Sequence, residues 1–135
     1  MGYKETVQEI YAAFGRGDVA AILERLDPNI EWEYGGTTEV PWLQPRRGRE
    51  GAAGFFASLA ELEIHRFEPK AIAEEGKIVF VAVDVEATVR KTEIRFEEPD
   101  EIHVWHFGDD GLATRFRHRV DTLQQLRAWQ GSSAA

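Results

Sequence analysis

The sequence predicts an α+β fold in which helices come first and an antiparallel sheet follows. Apolar residues recur at helical spacing near the N-terminus, whereas residues 63–121 contain four long strand-like stretches separated by short turns. Because helices and strands are segregated along the chain, we expect the helices to pack on one face of the sheet. The 135 residues suffice for a single domain, which we place at residues 1–130, followed by a disordered tail, "GSSAA", at 131–135.

Three helices are predicted before the sheet and one after it. Residues 4–15 form the first helix, with apolar residues at helical spacing and glycines at its end. Asp18 is placed to cap a short second helix, which ends before Pro28. Residues 49–60 form the third helix, and "TLQQLRAW" forms a short one near the C-terminus. The apolar sides of the first three helices would therefore supply much of the core.

Five strands are predicted. The first is the short stretch "IEWEY", and the others cover residues 63–73, 77–90, 93–107 and 112–121. Between the first strand and the third helix lies "GGTTEVPWLQPRRG", a long loop with two prolines and Trp42. Loops of this length inside a compact domain are often functional, so Trp32 and Trp42 are expected either to pack in the core or to cover a pocket.

Composition excludes several classes of function. The formal net charge is −8, and an acidic surface of this kind does not suit nucleic acid or an anionic membrane. No cysteine is present, which excludes disulfides, thiolate chemistry and cysteine zinc sites. The N-terminus does not resemble a signal peptide and no apolar run reaches about 18 residues, the length that suggests a membrane span. We therefore expect a cytoplasmic protein.

The most informative stretch is "EIHVWHFGDDGLATRFRHRVDT", at residues 101–122. Side chains alternate across a strand, and three arginines share one face of residues 112–120, so that face should be in water. His118 then lies on the buried face. A four-residue turn at "GDDG" would pair Glu101 with His118 and His103 with Phe116, which turns Glu101, His103 and Trp105 inward as well.

The strand at 77–90 leaves two alternatives open. One face carries four valines (Val79, Val81, Val83 and Val85), and the other carries Phe80, Ala82, Asp84, Glu86 and Thr88. Either the valines are buried and the acids solvated, or the acids face an internal cavity. In the second case the valines, with Ile102 and Val104, form an outer apolar face that a twofold partner would cover, which predicts a homodimer.

Three stretches resemble the nuclear transport factor two-like superfamily, and most closely its ketosteroid isomerase-like and polyketide cyclase (SnoaL-like) branch. They are "GDVAAILERLDPNIEW", "RGREGAAGFF" and "HVWHFGDDGLATRFRHRVDT". The resemblance implies a cone-shaped, curved antiparallel sheet wrapped around three N-terminal helices, with one deep pocket. It favours the inward alternative for Asp84 and Glu86. The implied pocket residues are Tyr11, Phe14, Glu33, Phe55, Phe56, Leu59, Asp84, Glu86, His103, Trp105, Phe116 and His118, to which Trp32, Trp42, Phe80 and Glu101 are added from the strand and loop analysis.

The motifs depart from each enzyme of this superfamily. Where ketosteroid isomerases have an Asp base this chain has Glu33, and where they have an oxyanion-hole Asp it has His103. Polyketide cyclases have a matching histidine at His103, but His118 replaces their acid. In limonene epoxide hydrolase-like members an Asp–Arg–Asp set falls near Asp84, Glu86 and His118, and here no arginine separates the acids. The resemblance therefore does not select one activity.

A carboxylate and an imidazole in an apolar pocket are suited to moving a proton next to a carbonyl. We expect His118 to be the general base or acid, oriented by Glu101 or Asp84. His103 would donate to the developing oxyanion, and Glu33 is a second candidate base. The expected substrate is small, hydrophobic and cyclic, with no cofactor and no metal. The alternatives are a non-catalytic small-molecule binding or accessory protein and an epoxide hydrolase-like hydrolase.

Overall fold

The structure is a computed structural model that describes residues 2–33 and 37–131. The elements in chain order are α1 (Tyr3–Gly15), α2 (Val19–Leu23), β1 (Leu26–Glu33), β2 (Arg46–Arg47), α3 (Gly48–Ser58), β3 (Leu62–Glu75), β4 (Ile78–Val89), β5 (Ile94–Phe107), β6 (Ala113–Arg119) and α4 (Thr122–Gln130), with single 3₁₀ turns at Pro41–Leu43 and Leu59–Glu61. The predicted order of helices and strands is confirmed except for β2, a sixth strand of two residues in the stretch that was predicted as a loop. Tyr34 of the predicted first strand and residues 132–135 of the predicted tail lie outside the described residues.

The helices form where the apolar periodicity and the caps place them. Asp18 Oδ1 accepts a hydrogen bond from the Ala21 N–H at 3.1 Å and starts α2. Asp121 Oδ1 does the same for α4, with the Gln124 N–H at 3.1 Å. Gly131 ends α4 in the left-handed conformation, at φ 87°, which glycine adopts without strain. Among the residues that the structure describes, no helix is both long enough and apolar enough to cross a membrane.

The six strands form one curved, unclosed sheet in the order β2-β1-β6-β5-β4-β3, with α1 and α3 packed against its inner face. Strands β3 to β6 are the predicted antiparallel meander. Strand β1, however, pairs with β6 in parallel, which places Trp32 beside Phe116. The parallel pairing joins the first strand of the chain to the last, an arrangement that local sequence patterns do not report.

The β5–β6 hairpin has the predicted faces but a different register. His103 pairs with His118 and Trp105 with Phe116, two residues away from the predicted partners. The turn extends to Leu112, whose carbonyl accepts from the Gly108 N–H at 3.0 Å, and the register shifts again beside Phe107. Because side chains alternate with a period of two, a shift of two residues leaves His103, Trp105, Phe116 and His118 on their predicted face. Beyond the irregularity, Ala113, predicted on the face of the arginines, is buried at 0% exposure.

The predicted inward facing of Asp84, Glu86 and Phe80 on β4 is wrong. The four valines of this strand face the core and are between 0% and 8% exposed, whereas Phe80 is 41% exposed. Asp84 pairs on the outer face with Lys70 Nζ at 2.7 Å, and Arg95 pairs there with Glu86. Burying four apolar side chains is favourable, and the acids stay partly exposed while they meet cations from the neighbouring strands.

This orientation also changes the basis of the predicted homodimer. The valines that were expected to form its interface lie in the core of one chain. The large apolar side chains exposed on the outer face are Phe80 and Ile102, at 41% and 36%, and the partly exposed Val104 pairs with Phe80 there. The homodimer stays a prediction.

A matched pair of substitutions on β4 tests its orientation. We expect Val81→Asp to lower the free energy of unfolding by roughly 3–5 kcal/mol, because it places an unpaired charge in the core. Ala82→Asp adds the same charge on the outer face and should change it by about 1 kcal/mol or less. Urea denaturation of both variants measures the difference, and equal losses would contradict the assigned faces.

Candidate functional site

A cavity opens between the inner face of the sheet and helices α1 and α3. The volume of the cavity is about 80 Å³, and the space between its walls together with open solvent at its mouth is about 730 Å³. Half of its lining residues are aromatic: Tyr11, Phe14, Trp32, Trp42, Phe55, Phe56, Phe67, Phe96, Trp105 and Phe116. Its polar lining consists of Glu101, His103, His118 and Gln125. The site is thus an apolar cavity with a few convergent polar groups, which is typical of small-molecule pockets.

A chain of hydrogen bonds crosses the cavity wall from α1 to β5. The Trp105 indole N–H donates to the Tyr11 hydroxyl oxygen at 3.1 Å. The Tyr11 hydroxyl lies 2.5 Å from His103 Nδ1, and His103 Nε2 lies 2.5 Å from Glu101 Oε2.

An indole N–H can only donate and an ionised carboxylate can only accept. When His103 is neutral, its Nε2–H therefore donates to Glu101, and Tyr11 donates its hydroxyl proton to His103 Nδ1.

The carboxylate of Glu101 is buried, at 7% exposure, and its charge depends on this chain. Burial alone raises the pKa of Glu101, but the hydrogen bond from His103 and attraction to His103 and His118 outweigh burial and lower it. Burial raises the pKa of Tyr11, and the negative charge of Glu101 adds to this effect. Glu101 is therefore the fixed negative charge of the site, and Tyr11 keeps its proton.

His118 lies beside this chain of hydrogen bonds, and Glu101 keeps its hydrogen bond with His103. Its ring lies 6.0 Å from that of His103, is stacked 5.3 Å from Phe116 and meets Phe55 edge to face at 5.7 Å. Burial lowers the pKa of His118 to about 4, although the Glu101 carboxylate opposes the shift. His118 is therefore a neutral imidazole at physiological pH, able to accept a proton transiently.

A second polar network borders the cavity at α4. The Trp42 indole N–H donates to Gln125 Oε1 at 2.7 Å, and the Gln125 amide donates to Glu98 Oε1 at 2.8 Å. Glu98 Oε2 accepts from the Asp121 N–H at 2.7 Å. Burial raises the pKa of Glu98 to about 7, and the charges of Glu101 and Asp121 add to the effect. This network attaches α4 to β5 and holds Trp42 in the cavity wall.

Most of the residues expected in the pocket from the sequence do line the cavity. They are Tyr11, Phe14, Trp32, Trp42, Phe55, Phe56, Leu59, Glu101, His103, Trp105, Phe116 and His118. The sequence did not predict eight of the lining residues, and the aromatic or polar ones among them are Phe67, Phe96 and Gln125. Phe67 belongs to a strand whose faces were not assigned. Phe96 belongs to β5, where one extra residue between Glu98 and Glu101 shifts the alternation of side chains. A glutamine on the apolar side of a short helix was a signal that could have been followed.

Four expected site residues lie elsewhere. Asp84, Glu86 and Phe80 are on the outer face of β4, as described above. Glu33 is also outside, because its carboxylate pairs with Arg117 at 2.9 Å and Arg115 at 3.6 Å. Their predicted positions in the pocket are wrong, and the set that suggested an epoxide hydrolase is divided between two faces of the sheet.

No metal centre is apparent in the part of the chain that the structure describes. Within residues 2–33 and 37–131, no three His, Asp or Glu side chains are grouped so that they could hold one metal ion.

Several proteins of known structure share this fold. The chain is similar to nuclear transport factor two-like proteins of known structure from Burkholderia thailandensis (27% identity, TM-score 0.84, 96% of this chain and 98% of that one) and Burkholderia xenovorans (29%, 0.82, 93% and 94%). It is also similar to TerC co-crystallised with polyporic acid (26%, 0.80, 95% and 98%).

The SnoaL-like domain family matches residues 7–116, and the chain belongs to this family. Comparison with curated proteins finds no match.

The buried acid Glu98 should make stability depend on pH. Its pKa in the folded chain, about 7, lies above the ordinary value of 4.5, so the folded state binds more protons between these values. The stability that protonated Glu98 contributes is complete below about pH 4.5 and is lost as the pH rises to about 7.

We expect the stability of Glu98→Gln relative to the wild type to increase over this interval by up to roughly 3 kcal/mol. Denaturation at several pH values measures it. Glu97→Gln removes an exposed carboxylate from the same strand and is the control. A pH dependence of equal size in Glu97→Gln would contradict the assignment to Glu98.

Proposed function

We propose that the chain is a cofactor-free enzyme that moves a proton on a small, hydrophobic, cyclic substrate, as an isomerase, cyclase or dehydratase does. The observation that carries this proposal is the hydrogen-bonded set Tyr11–His103–Glu101 in an aromatic cavity, beside the neutral imidazole of His118. Similar structures include a putative SnoaL-like polyketide cyclase from Jannaschia, although at 20% identity it supports only the fold.

The proposed step is proton abstraction next to a carbonyl. His118 takes the proton from carbon, the electron pair of the broken C–H bond forms the enolate, and the negative charge moves to the carbonyl oxygen. The proton returns from His118 to another atom of the substrate, so that no oxidant or reductant is required. Burial disfavours the His118 cation and the nearby Glu101 carboxylate favours it, which suits a proton held only briefly.

The Tyr11 hydroxyl is the proposed donor to the enolate oxygen. When His103 carries two protons, it donates to both Glu101 and Tyr11, and the Tyr11 O–H is then available to the substrate. Trp105 donates to the same Tyr11 oxygen and holds it in place. This assignment differs from the sequence-based roles, because both nitrogens of His103 are already engaged and Glu101 orients His103 rather than His118.

A binding protein would use the same cavity without turnover. The structural neighbour TerC was co-crystallised with polyporic acid, which supports a small organic ligand for either function. The two functions differ in one respect, since an enzyme requires His118 to exchange a proton with the ligand and a binding protein does not.

The proposal retains three expectations from the sequence. The protein acts in the cytoplasm, it does not bind nucleic acid or membranes, and it forms a homodimer through the outer face of the sheet. The absence of cysteine and the net charge of −8 support the first two, and exposed Phe80 and Ile102 support the third.

Deuterium exchange tests the proposed chemistry without knowledge of the natural substrate. In D₂O, we expect the wild-type protein to accelerate exchange of the hydrogens next to the carbonyl of 1-indanone, as followed by NMR. His118→Asn should reduce the rate about 10²- to 10⁴-fold, because it removes the base.

His65→Asn makes the same change on another strand, where His65 bonds to Thr88, and serves as the matched control. If 1-indanone binds but its hydrogens do not exchange, the proposed enzyme is wrong and the protein is a binding protein. Equal rates for the wild type and His118→Asn would contradict the role of His118.

A further inference from the structure

Three tryptophans line the cavity, and one of them has an indole N–H without a hydrogen-bond partner. Trp105 donates to Tyr11 at 3.1 Å, and Trp42 donates to Gln125 at 2.7 Å. The Nε1 of Trp32 has no partner, although the residue is only 2% exposed. The protein thus provides an acceptor for two of these donors and leaves the third unsatisfied.

The indole of Trp32 packs against aromatic rings, among them Trp105 at a centroid distance of 5.8 Å. Its ring lies 4.3 Å from Phe116, 5.2 Å from Phe55 and 5.7 Å from Phe56, measured between centroids. Ring faces accept an N–H weakly, so they replace only part of the lost hydrogen bond to water. A buried donor without an acceptor costs free energy, and in native proteins such a group calls for a specific reason.

We propose that the Trp32 indole N–H binds an oxygen acceptor of the ligand, and that the cavity therefore selects neutral aromatic or cyclic ketones. Because an indole N–H can only donate, the ligand atom that it binds must be an acceptor. The inference rests on the proposed function only in using the same cavity as the ligand site. It holds equally for a binding protein.

The cavity favours a neutral acceptor over an anionic one. No Lys or Arg is among the cavity-lining side chains in the described part of the chain, and the fixed charge there is the Glu101 carboxylate. A ligand carboxylate or phosphate would lose its hydration near a like charge and without a cation. A ketone oxygen has no such penalty, because it exchanges a hydrogen bond to water for one to Trp32.

Trp32 is also one ring away from the proposed base. Phe116 contacts both Trp32 and His118, with centroids 4.3 Å and 5.3 Å away. Phe55 does the same from α3, at 5.2 Å and 5.7 Å. Phe55 and Phe56 are themselves only half-buried, so a flat ligand can reach the Trp32 edge by displacing these two rings on α3.

The test compares two ligands that differ in one oxygen, 1-indanone and indane. We expect Trp32→Phe to weaken the binding of 1-indanone about fivefold to tenfold relative to that of indane, because the ketone alone loses a hydrogen bond. Any void that the substitution leaves affects both ligands alike and cancels in the ratio. Trp129→Phe is the matched control, since Trp129 does not line the cavity, and its ratio should equal that of the wild type.

A second measurement, by NMR, is made on ligand complexes of the wild-type protein alone. In the wild-type protein labelled with ¹⁵N, the Trp32 indole N–H resonance should move downfield with 1-indanone and much less with indane. An unchanged affinity ratio in Trp32→Phe, or equal resonance shifts with the two ligands, would overturn the inference. If the ratio shifts but 1-indanone shows no hydrogen exchange, the inference stands and the proposed catalysis fails; if neither ligand binds, both fail.

Discussion

The buried carboxylate of Glu101 is the constraint on which the rest of the site depends. A charge in an apolar interior is costly unless hydrogen bonds and nearby opposite charge compensate it. Here the compensation comes from His103, whose second nitrogen then requires a donor, which is Tyr11 on α1. The Tyr11 oxygen in turn accepts from Trp105. One buried charge thus sets the hydrogen-bonding requirements of His103 on β5 and of Tyr11 on α1, 92 residues away in the sequence.

The aromatic walls of the cavity strengthen this chain of hydrogen bonds. They exclude water, which strengthens each polar interaction inside the cavity, and they keep His118 neutral although it lies near a carboxylate. They also leave the Trp32 donor without an acceptor. The cavity consequently combines a base, a donor backed by an imidazole, and an unsatisfied donor, each within a surface that suits a flat apolar molecule.

The helices and the strands of the meander were predictable because local patterns indicate them, whereas the parallel pairing of β1 with β6 was not. Apolar periodicity and the cap at Asp18 indicated the helices, and the three arginines of β6 indicated which face of the hairpin is buried. An error of two residues in the hairpin register did no harm to these faces. The β4 strand was different, since both of its faces contain apolar residues.

The orientation of β4 follows from Lys70 and Arg66 on β3, which meet Asp84 only after the strands pair. The family resemblance favoured the wrong face here. The network of Trp42, Gln125 and Glu98 was not predictable either, because it depends on how α4 docks against β5.

The most direct test of the account is the protonation pattern of His103. Long-range ¹H–¹⁵N spectra, recorded at a pH where His103 is neutral, distinguish its two ring nitrogens. We expect a single tautomer with the proton on Nε2 and a hydrogen-bonded acceptor at Nδ1, and Tyr11→Phe should move the Nδ1 resonance towards that of an acceptor without a donor. A mixture of tautomers, or a proton on Nδ1, would contradict the hydrogen-bonded chain from Trp105 to Glu101.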